Sequence, residues 1–184
     1  MKFLVLTIFF SLFSVNVFAH SGGLNDRGCH NDRRIGDYHC HHRPSPNKQE
    51  KFIGIPTVVD GDTIKIGRIR IRLHGIDAPE SKQMCSSDGK QWRCGWEATN
   101  ALANIVGKHW VTCIKTDVDR FKRIVAICRV GPINLNAWMV ENGWAVAYRR
   151  YSLDYIREEE VSRASGRGLW RGEFIMPWDW RRSR

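Results

Sequence analysis

No apolar run in this chain is long enough to span a bilayer, which takes about 20 residues. The stretch at residues 3–10 is short, and Ser11, Ser14 and Asn16 interrupt its continuation. Negative charge is also scarce: 19 Asp and Glu stand against 29 Lys and Arg, a formal net charge of +10 and a pI near 9.6. That imbalance draws polyanions by long-range attraction, nucleic acid and anionic lipid among them. No cysteine sits in a setting that marks a catalytic thiol.

Lys2, the short apolar run and the small residues around Val17-Phe18-Ala19 read as a secretory signal peptide over residues 1–19. Without a membrane anchor beyond it, the protein is expected in the periplasm or the medium. The remainder suffices for one domain with a real core and is too short for two large ones. Six cysteines in an exported chain suggest disulfides. Fifteen pairings are open, and chain order proposes Cys29 with Cys40, Cys85 with Cys94 and Cys113 with Cys128. The last is best supported, because both residues lie on consecutive strand-like runs, TCIK and IVAICRV.

Residues 20–43 form a Cys/His-rich module too poor in apolar residues to build a core alone, so it needs a staple or a metal. Residues 44–51 read as a linker, since Pro44 and Pro46 exclude regular structure around them. From 52 to 184 the pattern is that of one domain. Residues 52–59 are rich in β-formers, and 63–66 and 69–73 flank Gly67-Arg68, a two-residue hairpin turn. Residues 95–107 carry Trp96, Thr99, Leu102, Ala103 and Val106 at helical spacing and end at glycine. Next in order are a second hairpin over 111–115 and 123–130, a short helix over 134–142 capped by Gly143, and a helix over 152–165 stopped by Gly166. The tail is aromatic and basic. Strands, a helix, strands and two helices predict a small barrel with helices packed against it.

Residues 58–80, VVDGDTIKIGRIRIRLHGIDAPE, concentrate the chemistry. Asp60, Asp62, Asp77 and Glu80 offer hard oxygen ligands and a base, and Arg72 offers a fork for an anion. That mixture of charges suits phosphate chemistry with a metal ion. Pairing Ile66 with Ile69 and Ile64 with Ile71 sets Asp62 level with Leu73, so strict alternation points Asp62 and Arg72 to opposite faces. A bulge or strong twist must re-aim one of them.

DGDT at 60–63, RLHGIDAPE at 72–80 and DRFKR at 119–123 together resemble the thermonuclease (staphylococcal nuclease) family, as does the segment NAWMVENGWAVAY. The resemblance spans about residues 52–172. It implies an α+β fold, an OB-type five-stranded barrel with three helices, and calcium-dependent cleavage of DNA and RNA at the 5′ oxygen, leaving 3′-phosphate ends. It implies that Asp62, Asp77 and the backbone carbonyl of Ala78 hold Ca²⁺, with Asp60 supporting them from behind. Glu80 would activate water, and Arg72 and Arg123 would bind the phosphate. Lys122 and Tyr148 are candidate substrate contacts. Three departures stand out: Lys122 replaces the family's usual Gly, Phe121 its usual Tyr, and His74-Gly75 its apolar pair, with His74 read as a rim residue rather than a base. The alternative is a non-catalytic OB-fold module that binds nucleic acid through charge and stacked aromatics.

Cys29, His30, His39, Cys40, His41 and His42 form a second candidate metal site, since Cys and His together suit Zn²⁺. A Cys29–Cys40 disulfide or a plain surface cluster competes with that reading, and a mature N-terminus at His20 would add an amine ligand for copper or zinc. No protein partner is indicated.

Overall fold

Pro56 has no N–H to donate to a ladder, and the β-rich stretch from residue 52 to 59 breaks there into two strands that pair with different partners. The computed structural model describes residues 49–183 with their side chains, and residues 29–32 and 37–40 as backbone. The chain divides into two compact units, Met1–Lys48 and Gln49–Arg184.

In the first unit, β1 (Cys29–Asp32) and β2 (Asp37–Cys40) form an antiparallel ladder that sets Cys29 opposite Cys40 and His30 opposite His39. The disulfide, zinc and surface-cluster readings of this module, and the signal segment, depend on groups outside the described residues.

The second unit begins with β3 (Lys51–Gly54) and β4 (Thr57–Asp60). Then come β5 (Thr63–Ile66), β6 (Ile69–Leu73), β7 (Ile76–Asp77), β8 (Cys85–Ser87), β9 (Lys90–Trp92) and α1 (Cys94–Val106). After α1 the chain forms β10 (Val111–Val118), β11 (Ile124–Val130), β12 (Ile133–Asn134), α2 (Leu135–Glu141) and β13 (Val146–Ala147). It closes with α3 (Ile156–Ala164), a 3₁₀ turn (Gly168–Arg171) and α4 (Pro177–Arg182).

The main sheet runs β3-β10-β11-β6-β5-β4, with β12 added beside β11. Its two ends are consecutive in the chain, so β3 and β4 act as one bent strand shared by both edges. That is how a five-stranded sheet curls into an OB-type barrel, and it removes the exposed edges an open sheet would leave. Gly54 sits where the bent strand presses on β5; a Cβ there would lie 2.7 Å from Ile66 Cγ2. Strands β11 and β6 pair in parallel, with Val125 opposite Arg72. The Gly67-Arg68 hairpin has the expected register, Ile66 with Ile69 and Ile64 with Ile71.

Alternation then sends Ile64, Ile71, Leu73, Val111, Cys113, Ala126 and Cys128 into one core, where they meet Leu102 and Val106 of α1 and Leu135, Met139 and Val140 of α2. Each fully buried Ile or Leu contributes about 1.5–3 kcal/mol. Cys113 and Cys128, direct register partners, are joined by a disulfide through this core, and Cys85–Cys94 ties β8 to the start of α1.

Helix α1 has its expected extent but a different buried face. Cys94, Gly95, Ala98, Leu102 and Val106 face inward, whereas Trp96 is 51% exposed beneath the Arg93 guanidinium. Small residues win the inward face because the helix lies against the loop after β7. A Cβ on Gly95 would meet the Glu80 carbonyl oxygen at 1.7 Å. The three expected helices are joined by a fourth, α4. It belongs to a second cluster in which Leu169, Trp170, Phe174, Met176 and Trp178 pack around the Cys85–Cys94 disulfide. Ser86 and Glu173 exchange backbone hydrogen bonds of 2.9 and 2.8 Å, tying the tail to β8. Among the described residues, no helix is long and apolar enough to cross a membrane.

Candidate active site

Asp62 escapes strict alternation because it lies in the turn between β4 and β5, just past a bulge at residues 58–60, rather than inside a strand. Its carbonyl still accepts from the Leu73 amide at 2.8 Å, as the expected register requires. Its carboxylate turns toward the arginine. Asp62 Oδ1 accepts from Thr63 Oγ1 at 2.9 Å and Arg72 Nη1 at 3.0 Å, and Oδ2 accepts from the Ala78 amide at 3.1 Å. Turn and bulge together therefore place on one face two side chains that pure periodicity would separate.

Asp77 is fully buried at the end of β7, and Arg72 Nη2 donates to its Oδ1 at 2.6 Å. One guanidinium thus bridges two carboxylates, one from the β4–β5 turn and one from β7. Burial works against the Arg72 charge, yet Asp62 and Asp77 outweigh it and hold its pKa above the ordinary value. Asp60 backs the turn by accepting from the Asp62 amide at 3.1 Å. Burial, then the neighbouring Asp62 charge, push the Asp60 carboxyl up to about 6.

Glu80 stands three residues beyond Asp77, on a loop that Gln83 fixes from both directions. The fully buried Gln83 accepts from the Glu80 amide through Oε1 at 3.3 Å and donates through Nε2 to the Ile175 carbonyl at 2.6 Å. That second bond fastens the tail beside the site. Arg181 on α4 completes the cluster: Nη2 donates to Asp77 Oδ2 at 2.7 Å, and Nη1 to Asp77 Oδ1 at 3.1 Å and Glu80 Oε1 at 2.8 Å. Partial burial opposes the Arg181 charge, but the hydrogen bonds to Asp77 and Glu80 prevail and raise its pKa. For Asp77, burial pushes the carboxyl up against the pull of Arg181 and Arg72.

The remaining candidates have other partners. Arg123 precedes β11 next to β6, and its Nε donates to Asp119 Oδ2 at 2.7 Å while its guanidinium lies 5.5 Å from the Phe121 ring centre. Lys122 has φ +60°, so the turn keeps the left-handed geometry that glycine adopts freely, with lysine in its place. Tyr148 comes directly after β13, whose pairing with β7 sets Val146 opposite Asp77; its ring stacks on Trp178 at 5.3 Å and 5°. His74 pairs elsewhere, with Nε2 3.3 Å from Asp154 Oδ2 and Nδ1 3.2 Å from Thr116 Oγ1.

Arg181, Trp178 and Gln83 are members of the site that residue patterns do not point to. The tail does carry a helix signal, with Pro177 at the first position, Asp179 in the first turn and Arg181 and Arg182 in the last. Among the described residues, no three His, Cys, Asp or Glu side chains are drawn together as a ready-made metal cage. The arginines occupy the carboxylates instead.

Carboxylates and guanidiniums thus converge on an OB-type barrel protein. The family described as staphylococcal nuclease homologue matches residues 70–172. The chain is 34% identical over 128 residues to a succinoglycan biosynthesis protein, ExoI, of Rhizobium meliloti, covering 67% of each chain. It is 32% identical over 145 residues to a micrococcal nuclease of Shigella flexneri, covering 68% of this chain and 78% of that one. A probable staphylococcal-like nuclease of Oryza sativa subsp. japonica is 34% identical over 124 residues; that protein is longer, and the chain spans 30% of it. The chain belongs to the staphylococcal nuclease homologue family, and its relatives there support a nuclease.

Proposed function

We propose that this is an exported, calcium-dependent nuclease that hydrolyses phosphodiester bonds of DNA and RNA and leaves 3′-phosphate ends. The observation that carries this reading is the convergence of Asp62 in a turn, Arg72 on β6 and Asp77 on β7, with Glu80 joined to Asp77 through Arg181. A cation fits there by the chemistry of the donors. Asp62 and Asp77 are hard carboxylates, the Ala78 carbonyl lies between Asp77 and Glu80 in the chain, and a guanidinium already neutralises Asp77 and Glu80. Asp62, Asp77 and the Ala78 carbonyl would hold Ca²⁺, with Asp60 orienting Asp62 through its amide. Bound calcium would supply positive charge to the phosphate oxygens.

The protein's own groups do the rest. Glu80 takes a proton from the attacking water, which forms the new bond to phosphorus as the bond to the 5′ oxygen breaks. Arg72 and Arg123 match the charge that gathers on the equatorial oxygens, and loss of one such donor typically costs on the order of 10²-fold or more in rate. Tyr148 and Lys122 border the path of the strand. The Cys85–Cys94 and Cys113–Cys128 disulfides support an oxidising compartment, periplasm or medium, reached once residues 1–19 are removed. End-group analysis of defined DNA and RNA digests tests the reading: labelled 3′-phosphates on both are expected, and 5′-phosphate products contradict it.

A further inference from the structure

Arg181 reaches the cluster from α4, outside the barrel and its hairpin. Its fork takes both oxygens of Asp77, at 2.7 and 3.1 Å, and one oxygen of Glu80, at 2.8 Å. We propose that Arg181 is a positioning residue that holds Asp77 and Glu80 in place before calcium arrives and sets how tightly calcium is taken. The proposal rests on the calcium reading above.

Three observations support it. First, the Asp77 side chain is fully buried, and a carboxylate so placed needs cationic partners to remain charged. Arg72 and Arg181 are those partners, so Asp77 is oriented before a metal is present. Second, the two cations compete. Calcium on Asp77 needs oxygen lone pairs that the Arg181 fork now occupies, and a divalent ion beside a guanidinium adds like-charge repulsion. Calcium can enter fully only as Arg181 withdraws. Third, withdrawal does not require the helix to leave. Helix α4 is anchored apart from the ion pair, by the Trp178–Tyr148 stack and the Gln83 bond to Ile175, and the Arg181 side chain is 35% exposed, with solvent to turn into.

Removing Arg181 therefore has opposite consequences with and without metal. Without calcium, Asp77 and Glu80 repel each other and the protein loses stability. With calcium, the competitor is gone. Calorimetric titration of the full exported chain with Ca²⁺ alone, without substrate, reads this directly. Arg181→Gln should bind calcium about tenfold more tightly than wild type and melt several degrees lower in EDTA. Arg181→Lys keeps the charge but loses the fork; its affinity should fall between the two, and it carries the test if Arg181→Gln does not fold without metal. Equal or weaker calcium binding by the folded variants overturns the proposal while leaving calcium catalysis standing, because a merely structural residue weakens metal binding when lost. A wild-type protein that cleaves nucleic acid but binds no calcium overturns the calcium reading as well.

Discussion

The two halves of the site are built by different means. Asp62, Arg72 and Asp77 lie close together in the chain, on turns and strands whose places follow from one hairpin and its ladders. Arg181 reaches the same spot from 104 residues beyond Asp77, on a six-residue helix held by a ring stack, one glutamine and ion pairs. The barrel half is fixed by backbone register and would, as proposed, supply the reacting groups. The tail half is fixed by side-chain packing and the Ser86–Glu173 backbone bonds, and in our proposal it supplies a cation that modulates them. In the proposed scheme one carries the chemistry and the other tunes it.

The largest effect should come from the barrel half. Glu80→Gln and Arg72→Ala should each lower cleavage of a defined oligonucleotide by on the order of 10²-fold or more. Glu80→Gln should keep its native near-UV circular dichroism. Arg72→Ala should also lose about 3–5 kcal/mol in urea unfolding, because it strips a partner from buried Asp62 and Asp77. A Glu80→Gln protein cutting at the wild-type rate would break the division of labour between the halves.

The two disulfides separate the halves more finely. Their closed loops, of 15 and 9 residues, predict about 3 kcal/mol for each by chain entropy. Replacing Cys113 and Cys128 by serine should lower stability with little change in the rate of the folded fraction. Replacing Cys85 and Cys94 should lower both, since that bond lies in the cluster seating the tail and next to the Gly95 contact with Glu80. Equal effects on rate would erase the distinction.

Asp60 gives a pH test within the barrel half. Its folded pKa, about 6, lies above the ordinary 3.8, so the neutral form is favoured by folding. Its contribution to the metal-free protein is therefore fully present below about pH 4 and is lost as pH rises through about 6. Asp60→Asn should abolish that decline, stabilising the metal-free protein above pH 6 by up to about 2 kcal/mol in denaturant titrations. An unchanged pH profile would show that Asp60 is not strained by its burial. The smallest effect belongs to Lys122→Gly, which relieves a left-handed lysine and should stabilise by about 1 kcal/mol in thermal melts. A loss of stability there would mean that the lysine side chain, not the turn, matters.

The barrel half is largely legible in the sequence because its signals are local. Alternating isoleucines and the Gly67-Arg68 turn set the hairpin register, and Asp62 and Asp77 each stand beside a turn. Alternation misleads at Asp62, since a turn and a bulge carry no hydrophobic period. Helix α1 ends where Gly107 indicates, but its inward face depends on how closely the Glu80 loop approaches Gly95, which hydrophobicity cannot report. The tail half is illegible for a related reason. A six-residue helix is too short to show a period, and an ion pair across 104 residues leaves no local mark.

If the carboxylate and guanidinium cluster cleaves phosphodiesters with calcium, the metal and Glu80 must both be indispensable. Cleavage of one defined DNA strand by the chelated protein, then titration with Ca²⁺, measures this most directly. No turnover is expected in EDTA, full recovery with added calcium, and no recovery in Glu80→Gln at any calcium concentration. Turnover unaffected by chelation, or wild-type recovery in Glu80→Gln, would contradict it.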